Sequence, residues 1–486
     1  MTYLIKTYTY KGGVIMNDIK NTKEENFNNS TKGNLIDFVT SNDPNWDRRW
    51  KYNCVIFILS YIFMGAVTGI TNDAFVSYLD LTVPDVVKAL PTYASIGTLI
   101  IAIIILLIHK LGYKKIIISA PIILIVALLS CIYSRNTVII MIANILVNVG
   151  AALFDFIYPL MFTSYTPSNK RVSMFSKVMY SNLISQSLLT FFDGKIVVWK
   201  FSKLLKVSYD KAAVLSEHQN TMSPFQLNAY TSSYTFVLWI AIIFTVLALV
   251  SLFFLREKVE DYRETEEELR ERKASKKFDI KIFFNKYIIM WIVIFSIIRF
   301  GALLVTPYFP IYLNDFLHIS RGTVSTIITL QTIAMVLGFL VAPYLEKKLG
   351  SIVTIVVTLL GCVPLMFLMA KGAMFGSNVA WIIGAILFLR SGLANASNPI
   401  QQSLPLTFVP KNLKPTFSSV LLLANSIVGI FAGIYTKNSL LVHNSGYSTA
   451  YYIAGALYAI AMIMLLIIFF KKYNRSFSDE NAKKDN

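Results

Sequence analysis

The chain is short of charge: 15% of its 486 residues are Asp, Glu, Lys or Arg, against roughly 25% in soluble domains. A soluble chain of this length would divide into about three domains of roughly 150 residues, and so low a charge fraction argues against that. Cysteine is scarce as well. Cys54, Cys131 and Cys362 all lie inside apolar blocks, and the four histidines are scattered, so neither a disulfide framework nor a metal site is expected. No G-x-x-x-x-G-K-[ST] loop is present to hold a nucleotide phosphate, and no H-E-x-x-H, G-x-S-x-G or cysteine-pair motif to do hydrolytic chemistry. No catalytic residue is assigned, no cofactor is expected and the chain reads as a non-enzyme. Residues 1–51 are polar, rich in Asn and Lys, and lack the apolar stretch of a cleavable signal. They read as a cytoplasmic tail, and Met16 opens a more typical polar start, so that residues 1–15 read as a gene-start artefact.

What the chain has in abundance is apolar sequence, at 55% of residues. Blocks of about 20 residues, long enough to cross a hydrocarbon core of roughly 30 Å as helices, recur from Tyr52 to Phe470. The runs are continuous and not alternating, which selects helices over a barrel. Twelve spans emerge: 53–79, 92–109, 115–134, 137–164, 173–193 and 234–255, then 287–313, 322–345, 351–370, 378–404, 416–437 and 447–470. The expected class is an all-α membrane protein with two sets of six helices.

The formal net charge of +18 would suggest nucleic acid in a soluble chain, so the positions of the basic residues decide. With the N-terminus inside, Arg48, Arg49, Lys51, Lys110, Lys114, Lys115, Lys170, Arg171, Lys347, Lys348, Lys411, Lys414, Lys471 and Lys472 fall on the cytoplasmic side. The opposite loops hold about one each: Lys88, Arg135, Arg321, Lys371 and Lys437. This is the positive-inside pattern. It orients a multi-pass protein of the cell membrane with both termini cytoplasmic, makes the bilayer its partner and excludes nucleic acid. The expected domains are the tail 1–51, a bundle 52–255 that includes an outside segment 194–233, a charged linker 256–286, a second bundle 287–470 and a tail 471–486. Within the outside segment, Val198 to Leu215 is amphipathic and suits either the membrane surface or a cap on the outer mouth.

The halves repeat. His109-Lys110-Leu111-Gly112 follows the second span and Lys347-Lys348-Leu349-Gly350 the eighth; Thr166-Pro167-Ser168-Asn169-Lys170 follows the fourth and Val409-Pro410-Lys411-Asn412-Leu413 the tenth, at a period of about 240 residues. Phe175-Ser176 and Phe417-Ser418 then open the next helices. With these features the chain resembles the major facilitator superfamily of secondary transporters over about residues 52–470. The family signature between helices 2 and 3, G-x-x-x-D-R-x-G-R-R, is similar to the stretch ending at Lys115: Lys110, Gly112, Lys114 and Lys115 fit, whereas His109 replaces the aspartate and Ile105 the first glycine. Arg390 to Thr416, with Asn395, Pro399 and Pro410, is similar to the family's tenth helix and following loop. The glycine-proline motif of drug/proton antiporters is missing from Val178 to Gly194. The resemblance implies two pseudo-symmetric six-helix bundles, the major facilitator fold, and a monomer. It also makes Lys110, Gly112, Lys114, Lys347 and Gly350 gating-loop candidates.

A charge at mid-bilayer costs at least about 2.5 kcal/mol, so each one is a functional candidate. Asp73 and Asp155 stand in the first half, Arg299 and Arg390 in the second. The two arginines are expected either to attract solute or to serve as structural counter-ions of the two aspartates. Asn144, Asn148, Ala151, Asp155 and Tyr158 form one stripe of helix 4. Asn182, Gln186 and Asp193 mark helix 5, Arg390, Ser397 and Gln401 helix 10, and Ser418, Asn425, Gly429 and Gly433 helix 11. Asn148 and Gln186 are read as pathway candidates, while Gln331 and Asn425 suit either a pathway or hydrogen bonds between helices. The expected function is secondary transport of a small polar or anionic organic solute by alternating access, with Asp73 or Asp155 as candidate carrier of a coupling proton. Drug or lipid efflux on the same fold is the alternative, and a polytopic membrane enzyme or transporter-like receptor is the alternative of another class.

Overall fold

The computed structural model describes residues 40, 46–167, 171–262, 285–409, 414–443 and 445–474. Most of both tails, Ser168 to Lys170, most of the charged linker and Pro410 to Leu413 therefore lie outside the described residues. Twelve long helices follow in order: α1 (Arg48–Asn72), α2 (Leu90–Leu106), α3 (Tyr113–Tyr133), α4 (Thr137–Tyr165), α5 (Arg171–Leu205), α6 (Pro224–Phe253), α7 (Lys286–Val305), α8 (Arg321–Leu349), α9 (Ser351–Ala370), α10 (Val379–Ala396), α11 (Lys414–Tyr435) and α12 (Gly446–Tyr473). Ten stretches of the described residues are long and apolar enough to cross a membrane. The second and fifth positions are filled by the shorter α2 and by α5, whose apolar character is diluted by Lys177, Asp193, Lys195, Lys200 and Lys203.

The internal repeat is a repeat of packing. In the first half α1 packs on α5 and α6, α2 on α4, and α3 on α4 and α6; six helices on, α7 packs on α11 and α12, α8 on α10, and α9 on α10 and α12. Each half encloses its own apolar core, and Tyr308 and Ile311 of the second half enter the core of the first. Between halves the most extensive contacts are α5 with α8 and α2 with α11, joined by smaller ones of Phe309–Ile311 with Ala74–Thr82 and of Tyr209–Ser216 with α8. Small residues permit these approaches: Gly429 meets the Ser95 side chain and Gly433 meets Thr92.

Helix boundaries follow local chemistry. Asn136 caps α4, accepting from the Val138 amide at 2.9 Å, and Ser223 with Gln226 closes a capping box ahead of Pro224. Gly112 and Gly350, the two glycines of the sequence repeat, share one conformation, φ 86° and ψ 161° against φ 82° and ψ 163°, a region essentially closed to side chains. Each is followed by a helix start that is capped from the end of its own half. A Glu257 carboxylate oxygen accepts from the Lys114 amide at 3.0 Å, and Asn474 Oδ1 accepts from the Val353 amide at 3.0 Å.

Several expected boundaries are corrected. The fifth helix does not stop at residue 193 but runs to Leu205, and the sixth starts at Pro224, ten residues early. Val198 to Leu215 is not one amphipathic helix: Lys206 turns at φ 56° and a second helix, Tyr209–Ser216, follows. Val198 and Phe201 are fully buried, so one face of this segment packs against the rest of the molecule. The first span breaks at Asp73 (φ −122°, ψ −78°) and resumes as Ala74–Thr82. The seventh loosens after Val305, and the tenth is interrupted at Ser397 before Asn398–Ser403.

A Cβ at Gly112 would stand 2.5 Å from a Glu257 carboxylate oxygen, and one at Gly350 2.5 Å from Asn474 Oδ1. Gly112→Ala and Gly350→Ala each cost about 1–3 kcal/mol through backbone strain alone. Thermal unfolding of the purified protein checks this: both melting temperatures fall, and unchanged values would contradict the conformational assignment.

Candidate functional site

The two ends of the helix array differ. One carries the basic loops, with Lys110 and Lys347 exposed. There Lys114 Nζ donates to the carbonyls of Phe253 and Leu255 at 2.8 and 2.7 Å, so a cation neutralises the negative end of α6. Arg49 forks onto Asp261 at 2.6 and 2.9 Å, and Tyr165 donates to the same carboxylate at 3.1 Å. Burial pushes the Asp261 carboxyl up, but hydrogen bonds from Arg49, the Lys258 amide and Tyr165, together with the Arg49 charge, outweigh it and hold the group below its ordinary value. Gly112, Lys114 and Gly350 thus sit on ties made within each half, beside the exposed Lys110 and Lys347.

At the opposite end the halves are bonded to each other. Thr92 donates to the Ile430 carbonyl at 3.1 Å, Tyr308 to the Lys88 carbonyl at 3.0 Å, Asn314 to the Ser216 carbonyl at 2.9 Å and Lys195 Nζ to Thr326 Oγ1 at 2.7 Å. At the centre of this closure Arg321 Nη1 donates to Asp73 Oδ1 at 2.7 Å, with both side chains 0% exposed. Asp193 lies by the other terminal nitrogen, 3.7 Å from Nη2, and is equally buried. The counter-ion of Asp73 is therefore Arg321, and neither Arg299 nor Arg390 as the sequence suggested. Arg321 reads as a loop residue in sequence because the polar Ser320 precedes it. The available signal is its place at the first position of α8, where the helix dipole disfavours a cation and a carboxylate partner is needed.

Between the halves lie two cavities. The larger, about 780 Å³, takes in Thr98, Arg299, Arg390 and Asn425 and extends along Gln401, Leu406 and Ser418 toward the basic-loop end. The smaller, about 340 Å³, is lined by Asn144, Asn148, Gln186 and Gln331 and reaches Thr71 and Asn72, next to Asp73. Thr306 lines both. Among the described residues no Asp or Glu lines either cavity. Arg299 is exposed to the larger space, while Arg390 is 3% exposed, with its guanidinium 5.5 Å from the Phe309 ring and its Nε without a hydrogen-bond partner among the described residues.

The sequence-derived candidates thus separate into groups. Arg299, Arg390 and Asn425 share the larger cavity, and Asn148, Gln186 and Gln331 the smaller. Asn148 also donates to the Asn144 carbonyl at 2.8 Å, holding the polar stripe of α4 together. Asp155 is exposed and takes a hydrogen bond from the Tyr61 hydroxyl within its own half. Asp73 belongs to neither cavity. Such an arrangement can bind a small polar or negatively charged molecule from the basic-loop end, while the other end is shut.

Residues 213–433 match the family model of the Major Facilitator Superfamily. No curated relative matches the sequence. Among solved structures, the chain is similar to the D-xylose-proton symporter (12% identity, 87% of this chain and 98% of that one, TM-score 0.64). It is similar also to the nucleoside transporter NupG (12%, 87% and 99%, 0.61) and to the inward open conformation of the xylose transporter XylE from E. coli (14%, 87% and 96%, 0.62). At these identities the likeness is one of fold.

Removing one partner of a buried ion pair leaves an uncompensated charge, at about 3–5 kcal/mol. Arg321→Met therefore lowers stability by that order, whereas Arg299→Met, at an exposed site, changes it by less than about 1 kcal/mol. Denaturant or thermal unfolding in detergent compares the two, and equal effects would contradict the pairing.

Proposed function

We propose that the chain, of which residues 213–433 match the Major Facilitator Superfamily model, is a secondary active transporter that moves a small anionic organic solute across the membrane by alternating access. The observation that carries the proposal is the cavity of about 780 Å³ between the halves, which among the described residues holds two arginines and no carboxylate in its lining. A buried cation without a protein counter-ion is costly, and a carboxylate or phosphate arriving from solution offsets that cost with charge-assisted hydrogen bonds. Arg390, buried and held under Phe309, sets the position of the charged group. Arg299 and Asn425 adjust to the rest of the solute, and the smaller cavity gives it room as the halves rock about the site.

In this reading the basic-loop end is cytoplasmic, both termini lie there, and the molecule rests open to the inside as a monomer. A neutral polyhydroxy solute is the second reading. It is favoured by Asn395, Asn398, Gln401 and Gln402 together with Trp291 in the lining, and by the xylose and nucleoside transporters among the similar structures.

A melting-temperature panel on detergent-purified protein tests the choice, using lactate, citrate, glucose 6-phosphate, xylose and uridine as probes. A bound anion at a hundred times its dissociation constant adds about 2.7 kcal/mol of stability, and Arg390→Gln removes that shift. A shift with xylose or uridine alone, unaltered in Arg390→Gln, would overturn the anion reading.

A further inference from the structure

We propose that the solute is a planar aromatic anion, its ring completing an unfinished stack on Phe295 and its carboxylate drawn to Arg299 and Arg390. The proposal rests on the anion reading of the larger cavity and narrows it to a chemical class.

Trp291, Phe295, Arg299 and Ala302 of α7 all line that cavity. Their steps of four, four and three residues make one stripe of a helix, so aromatic surface and cation share a face. Phe295 and Arg299 are separated by about one turn, a rise of about 6 Å. A ring that carries its carboxylate directly, or one carbon away, reaches from one to the other.

The stack is braced from behind. The Trp291 indole is 2% exposed and lies 4.1 Å from the Phe295 ring at an interplanar angle of 28°. The Phe408 and Phe469 rings meet the same indole edge-on, at 5.3 and 5.5 Å. Trp291 is thereby fixed, and it covers one face of Phe295. Phe295 itself is only half-buried, and among the described residues it meets no ring besides Trp291. The rest of its surface lines the cavity.

The first half supplies a second free ring. Phe156, on α4, is the one aromatic side chain that this half gives to the lining among the described residues. It is half-buried and meets no other ring there. Rings turned to a water-accessible cavity leave apolar surface uncovered, and a flat solute ring covers it in the offset or edge-to-face contacts that aromatic pairs prefer.

The cations suit the same solute. A guanidinium is flat, grips a carboxylate through two parallel hydrogen bonds and packs on ring faces, as Arg390 does over Phe309 at 5.5 Å. Arg390 Nε has no hydrogen-bond partner among the described residues and is a donor for that carboxylate. An aliphatic anion satisfies the arginines but leaves Phe295 and Phe156 without a ring partner. A neutral sugar covers a ring face with its C–H groups but leaves the cations unpaired. An aromatic anion does both.

Calorimetric titration of the full-length protein in lipid nanodiscs, with benzoate, cyclohexanecarboxylate and benzamide as probes, tests the class. The two carboxylates share charge and carbon count and differ in planarity and π-face, whereas benzamide is flat and uncharged. Benzoate is expected to bind about twofold to tenfold more tightly than cyclohexanecarboxylate, the range that a ring pair adds beyond its buried area. It is expected to bind about tenfold or more tightly than benzamide, as hydrogen bonds to a charged group require. Phe295→Leu reduces the preference for benzoate, and so does Phe156→Leu, which lies outside the Trp291 packing and serves where Phe295→Leu fails to fold. Arg390→Gln weakens both carboxylates. Equal binding of the two carboxylates, or a preference that both leucine variants retain, overturns the aromatic assignment and leaves the anion reading standing. Benzamide binding as tight as that of benzoate overturns the assignment of the carboxylate to the arginines. Binding of neither carboxylate overturns the proposal, and together with a melting shift from xylose or uridine it overturns the anion reading as well.

Discussion

The buried ion pair between Arg321 and Asp73 decides the shape of the molecule. It joins the first turn of a helix in the second half to the point where the first helix of the first half breaks. Both groups are fully buried, so each depends on the other: apart, an isolated charge faces a low-dielectric interior or must be hydrated. The pair therefore has two acceptable arrangements, together and dry or separate and wet. The hydrogen bonds around it, from Thr92 to Ile430 and from Asn314 to Ser216, reinforce the first of these. The cavity's opening toward the basic loops follows from closure at this end.

The halves behave as units for a complementary reason. Each ties its own basic-loop end with a positive-φ glycine, a capped helix start and a polar residue contributed from beyond its last helix, Glu257 in one and Asn474 in the other. These ties are local to each half and are not broken when the halves move. Interactions between the halves instead run along α5 with α8 and along α2 with α11, where Gly429 and Gly433 let α11 approach Ser95 and Thr92. In the proposed alternation these inter-half contacts form the two-state element that ligands bias.

Much of this is legible in the sequence, and the remainder is not for definite reasons. Apolar block length gives the helices, and the Lys110-Leu111-Gly112 and Lys348-Leu349-Gly350 repeat gives the two halves, because hydrophobic length and glycine conformation are local properties. Arg390 and Arg299 are found because charge inside an apolar block stands out, and Asn425 because it shares a helical stripe with Ser418, Gly429 and Gly433. Arg321 does not, since it lies at the edge of its block, and an edge arginine in sequence is indistinguishable from a solvated loop residue. Its partner Asp73 is 248 positions away, a separation over which single-sequence patterning carries no pairing information. The extension of α5 to Leu205 is hidden similarly: Lys195, Lys200 and Lys203 look like the end of a span, whereas tertiary packing of Val198 and Phe201 keeps the helix going.

The most direct measurement follows the distance across each end of the full-length protein in lipid. Spin labels at the exposed positions Asp85 and Asn438 report on the closed end, and labels at Lys110 and Lys347 on the basic-loop end. Breaking the pair with Arg321→Met should lengthen the Asp85 to Asn438 distance and shorten the Lys110 to Lys347 distance, as the halves rock about the central cavity. Distances unchanged at both ends would contradict the claim that this ion pair holds the halves together.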